Sequence, residues 1–93
     1  MSEQIPSIGR IVCYRLSADD VAQINRRRPT FQAYIGNSVA EGDTFPMLIT
    51  RVWGSTAESA VNGQVFLDGT DVFWATSVVV GEGPRTFSWP SRV

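Results

Sequence analysis

A chain of 93 residues with a net charge of −1 makes one small domain, 1–93, and lacks the broad basic surface that general nucleic-acid binding needs. With no histidine and a single cysteine, Cys13, it can form neither a zinc site of nitrogen and sulfur ligands nor an internal disulfide. Hydrophobic content of 43% and charged content of 18% are those of a globular protein, and no apolar run approaches the ~20 residues of a membrane-spanning helix.

The opening MSEQIPSIGR has neither the basic start nor the apolar segment of a secretory signal, so the expected setting is a reducing cytoplasm. Residues 8–16, IGRIVCYRL, read as a first strand, with Ile11, Cys13 and Tyr14 as its β-prone apolar groups. A helix over 17–28 follows. Ser17 is its N-cap, Asp20 completes a capping box, and Leu16 and Val21 are spaced for a hydrophobic staple. Arg26, Arg27 and Arg28 load its last turn and Pro29 stops it, so this arginine run reads first as dipole complementation on a solvated face. Residues 30–44 are irregular and read as a variable insertion or lid.

Residues 45–53, FPMLITRVW, form the strongest strand. Simple alternation puts Met47, Ile49, Arg51 and Trp53 on one face and Leu48, Thr50 and Val52 on the other. After a polar connection, AVNGQVFLD alternates with Val61, Val65 and Leu67 inward and Asn62, Gln64 and Phe66 outward. Asp68-Gly69-Thr70-Asp71 signals a hairpin, and VFWATSVVV returns with Trp74 and Thr76 on one face and Phe73, Ala75 and Ser77 on the other. Gly81-Glu82-Gly83-Pro84 turns again, and RTFSW is a short last strand ended by Pro90. Five strands and one helix predict a mainly β (α+β) fold: a strongly bent antiparallel sheet or small barrel with one surface helix.

Catalytic chemistry has little to work with. No histidine is available as a general base, no serine has a triad partner, and no phosphate-binding glycine fingerprint occurs. No cofactor or metal is expected, so the prediction is of a protein that is not an enzyme. Binding has more material. All eight basic residues are arginine, whose planar fork pairs with anions and stacks on rings; a GC-rich genome would produce the same bias. Trp53, Trp74 and Trp89, with Arg10, Arg51, Arg85 and Arg92, are the candidate ligand-binding residues, suited to stacking a nucleobase and pairing its phosphates. The same aromatics are also natural core material for a small barrel. A domain this small without staples is expected to gain stability as a homo-oligomer.

GRIVCY at the start, FPMLITRVWG, AVNGQVFLDGTDVFWATSVVVGEGP and the terminal TFSWPSRV together resemble a family of small proteins encoded by tailed bacteriophages and prophages. That family shows a GRIVxY start, a P-x-x-x-x-R-V-W strand, a Q-V-x-x-D-G hairpin, a W-A-T-S strand and a W-x-W-P-x-R-V ending. Phe87 stands where its first terminal tryptophan is expected, and the helix and the stretch to 44 vary in length among relatives. The likeness covers the first strand and residues 45–93. It implies a phage accessory protein in the host cytoplasm, and no biochemical activity comes with it.

By analogy of class with phage sponges, the leading expectation is sequestration of a small phosphorylated host immune signal, a cyclic nucleotide or a cyclic ADP-ribose-like molecule. The alternative is a protein–protein interaction module, either an inhibitor of a host protein or a small virion or assembly component. A single-strand binder comes third, held down by the acidic balance.

Overall fold

The computed structural model describes residues 4–28 and 35–91. Five strands close into a barrel in the order β1 (Ile11–Arg15), β2 (Thr44–Val52), β3 (Val61–Phe66), β4 (Val72–Val80) and β5 (Thr86–Ser88), and one helix, α1 (Ala18–Arg27), lies between β1 and β2. This is the small barrel with one helix that the sequence predicts. Part of the 30–44 segment lies outside the described residues. From Ile35 onward it is pinned to the β3–β4 turn by a bridge between Gly36 and Gly69 and by the Asn37 amide donating to the Asp68 carbonyl at 2.8 Å.

One pair of neighbouring strands departs from the expected antiparallel arrangement. Antiparallel neighbours cannot alternate around a ring of five strands, so one pair must run parallel, and that pair is β4 and β5. A parallel pair normally needs a crossover of a dozen or more residues. Here the chain instead coils once through 81–85 and returns beside the strand it has just left, pairing Thr86 with Val79 and Phe87 with Val80. The Gly81 amide reaches the Phe87 carbonyl at 2.9 Å, and Arg85 takes a left-handed φ of 63° to complete the coil. Closure leaves the sheet without a free edge.

Each strand places alternate side chains in the barrel, which decides which apolar residues form the core. On β1 these are Val12 and Tyr14, whereas Ile11 is 55% exposed and Cys13 is half-buried on the outside, so the apolar role expected for Ile11 and Cys13 belongs to their neighbours. Met47, Ile49, Val61, Val65, Phe73, Ala75, Val78 and Phe87 complete the interior, with Leu16 and Ile24 bringing the helix against it. Gly63 faces inward where a methyl group would lie 2.5 Å from the Met47 side chain and 2.8 Å from the Leu48 carbonyl.

The helix forms as its sequence dictates. The Ser17 hydroxyl accepts from the Asp20 amide and the Asp20 carboxylate accepts from the Ser17 amide, both at 3.0 Å. The same carboxylate accepts the Tyr14 hydroxyl at 2.6 Å and is 1% exposed. A buried carboxylate needs such partners, so one residue both starts the helix and ties it to β1.

Candidate functional site

A β-bulge at Ile49/Arg51 decides what β2 shows to solvent. The extra residue flips the alternation. Met47 and Ile49 stay in the core, but Arg51 and Trp53 turn outward, so the expected face of Met47, Ile49, Arg51 and Trp53 is corrected at its second half. The pair itself stays together, with the Arg51 guanidinium 4.5 Å from the centre of the Trp53 ring. A second irregularity on β4 does the same to Ser77. It leaves the expected company of Phe73 and Ala75, takes a φ of 54°, and its exposed backbone amide donates to the Asn62 side chain at 2.9 Å.

The outer side of β2, β3 and β4 is consequently one continuous surface. Leu48, Gln64 and Trp74 lie side by side in a row, since Leu48 pairs with Gln64 and Gln64 with Trp74. Phe66 pairs with Val72 in the next outward row, and Asn62 with Arg51 on the other side, where Asn62 also accepts the Trp53 indole N–H at 3.2 Å. Trp74 is 61% exposed, Trp53 55% and Phe66 42%. Arg51 is the only charged residue in these three strands.

The remaining candidates lie elsewhere. Trp89 is half-buried against the core, edge-on to Phe87 at 5.8 Å, and Arg10 stacks over it at 4.8 Å while donating to the Gln4 side chain. Arg85 donates to the Thr76 carbonyl at 3.3 Å and lies 4.0 Å from Asp20, so its guanidinium supports the helix start. Arg92 lies outside the described residues. Among the described residues Arg10 pairs with Trp89 and Arg51 with Trp53, Arg85 bonds to its own chain, Trp74 stands apart from these arginines, and the candidates do not meet in one pocket.

One cleft does bring a tryptophan and an arginine together, with a different arginine from those the sequence singled out. Gln23, Arg27, Phe73 and Trp74 line an open hollow of about 230 Å³ between α1 and β4. Arg27 lies 5.7 Å from the Phe73 ring centre and pairs with Asp71 at 3.1 Å; Arg28 pairs with the same carboxylate at 3.1 Å. Gln23 and Arg27 share a helix face by their spacing of four. That signal was present in the sequence, but nothing in it showed that the face would lie against β4. A second, polar hollow of about 210 Å³ lies outside β1 and β5, lined by Cys13, Arg15, Thr44, Glu82 and Ser88 among others.

Burial, then the hydrogen bond to Asp20 and that group's charge, hold the Tyr14 hydroxyl well above its ordinary pKa of 10.0, with Arg85 acting weakly the other way. Among the described residues no group of three or more His, Cys, Asp or Glu side chains converges on a possible metal position. No described helix is long and apolar enough to cross a membrane.

Fold and surface together define a small closed β-barrel that presents an almost uncharged, aromatic outer face. Comparison with family models, with curated proteins and with solved structures gave no significant match.

Proposed function

We propose that this chain is a non-catalytic docking module that seats a protein surface on the outer face of β2–β4. The observation that carries this reading is the exposure of Phe66 on β3, Trp74 on β4 and Trp53 just past the end of β2, on three adjacent strands whose only charge is Arg51. Protein interfaces combine these features: charge depleted at the centre, aromatic residues and arginine enriched, and a few large side chains supplying most of the affinity. A nucleic-acid strand would also stack on the rings, but it needs cations along its path, and one arginine on the face is too few. The resemblance to small phage proteins supplies the setting, an accessory protein working on a host or virion protein in the host cytoplasm.

The test is affinity capture with the tagged chain, followed by titration of the captured protein against wild type and variants. Trp74→Ala is expected to weaken binding about 30-fold, the equivalent of ~2 kcal/mol for an interface anchor, with the far-ultraviolet circular dichroism unchanged. A captured partner that binds wild type, Trp74→Ala and Trp53→Ala equally well contradicts the reading.

The Gln23–Arg27–Trp74 cleft favours a second reading, capture of a small phosphorylated signal by stacking on Trp74 and pairing with Arg27. Its volume of about 230 Å³ suits one ring, below the ~300–1,000 Å³ of typical ligand pockets. A complete pocket for a cyclic dinucleotide therefore requires a wall from another copy. Calorimetry against cyclic dinucleotides and cyclic ADP-ribose isomers decides it: heat that disappears in Arg27→Ala supports the cleft, and flat titrations remove it.

A further inference from the structure

The docking face fits a second copy of this chain, and this inference rests on reading β2–β4 as a docking surface. A surface that binds its own copy must complement itself. A face rich in one sign of charge repels its twin, whereas β2–β4 carries a single charge, Arg51, stacked on Trp53 beside the bulge rather than set in the central row, and Arg27 of α1, which borders Trp74, is paired with Asp71. The centre of the face is an amide. Gln64 lies between Leu48 and Trp74, and its side chain has no hydrogen-bond partner among the described residues. A carboxamide is both donor and acceptor, so two of them related by a twofold axis satisfy each other.

Relief is complementary in the same way. Trp74 stands out on one flank of the central row, 61% exposed, while Leu48 on the other flank is partly buried. We propose that two copies pack face to face about a twofold axis running along β3, which sets each Trp74 on the partner's Leu48 and each Gln64 opposite its mate. Any other strand of the face used as the axis loses the match of protrusion to recess. The size suits a weak dimer. Strands of nine, six and nine residues, rising ~3.3 Å per residue and spaced ~4.8 Å apart, cover roughly 380 Å². That is below the ~800 Å² of accessible surface that each partner of a standard interface buries.

Sedimentation equilibrium on the full chain tests the pairing, alongside the capture experiment above. Wild type is expected to be a dimer at tens of micromolar. Trp74→Glu, which sets a carboxylate against the partner's apolar flank, is expected to raise the dimer dissociation constant at least 100-fold without changing the far-ultraviolet spectrum. Arg26→Glu, on the exposed helix surface, is expected to leave the dimer intact. Crosslinking gives an independent readout that does not depend on a disruptive variant. A Cys13→Ser, Gln64→Cys chain treated with a short bismaleimide should yield covalent dimer, and Cys13→Ser, Arg26→Cys should not. A wild type that stays monomeric while Trp74→Ala still loses a captured partner overturns the second copy and leaves the docking face standing. A monomeric wild type whose capture is indifferent to Trp74 overturns both. A dimer that survives Trp74→Glu, or that crosslinks through position 26 and not 64, places the interface elsewhere and overturns the proposal.

Discussion

Tyr14 and Asp20 show how one buried polar contact governs a local structure. The carboxylate accepts the Tyr14 hydroxyl and the Ser17 amide at once, and a hydrogen bond to a charged group contributes about 1.5–3 kcal/mol. Tyr14→Phe is therefore expected to lower stability by about that amount, read as the midpoint shift in urea unfolding. Because the folded state raises the Tyr14 pKa above its ordinary 10.0, the contribution is complete below pH 10 and is lost as pH rises above it. Unfolding curves at pH 9, 10.5 and 11.5 should show wild-type stability falling over that range, with a shallower fall in Tyr14→Phe; equal slopes contradict the assignment. Ser17→Ala should cost about 1 kcal/mol through the lost cap. Gly63→Ala should cost about 1–3 kcal/mol by overpacking against Met47 and the Leu48 carbonyl. The cap was legible in the sequence because its partners lie three residues apart. The Tyr14 bond was not, because it depends on the angle at which the helix leaves β1.

Elements were legible where a period or a turn signal is local, and illegible where a register changes. The hairpin at 68–71 and the alternation of β3 follow from turn chemistry and a period of two, and both stand as expected. The bulges in β2 and β4 do not announce themselves on their own strands, because the glycine at both register shifts is Gly63, across the ladder on β3, and a single extra residue reverses every later side chain. Arg51, Trp53 and Ser77 were misplaced for that reason. The sequence pattern assigns the arginine run at the end of α1 to dipole complementation and solvent, yet Arg28, the C-cap, is mostly buried and shares Asp71 with Arg27. Asp71 therefore fastens the helix C-terminus to the start of β4. Asp71→Asn is expected to destabilise the chain by about 1.5–3 kcal/mol, mainly through Arg28, since the more exposed Arg27 pair contributes little. Thermal unfolding measures it, and an unchanged midpoint means the clamp carries no stability.

At the scale of the whole molecule, closing five strands into a ring fills the interior with side chains and leaves function to the outside. The C-terminal aromatic block illustrates the division. Phe73 and Phe87 are buried and Trp89 leans on the core, so most of the block is scaffold, while Trp74 alone stands clear of it. Composition and motif suggested that arginine and tryptophan would converge, but convergence depends on tertiary placement that no local pattern encodes. On the proposed reading the outer face of β2–β4, and no internal pocket, does the binding. Amide and indole NMR spectra of the 15N-labelled chain test it most directly, recorded over a hundredfold range of protein concentration and then with cyclic nucleotides added. If this face pairs two copies, the Trp74 indole and the amides of 62–66 shift with concentration while nucleotides leave them in place. Spectra that ignore concentration, with nucleotide-induced shifts at Gln23, Arg27 and Trp74, would contradict it.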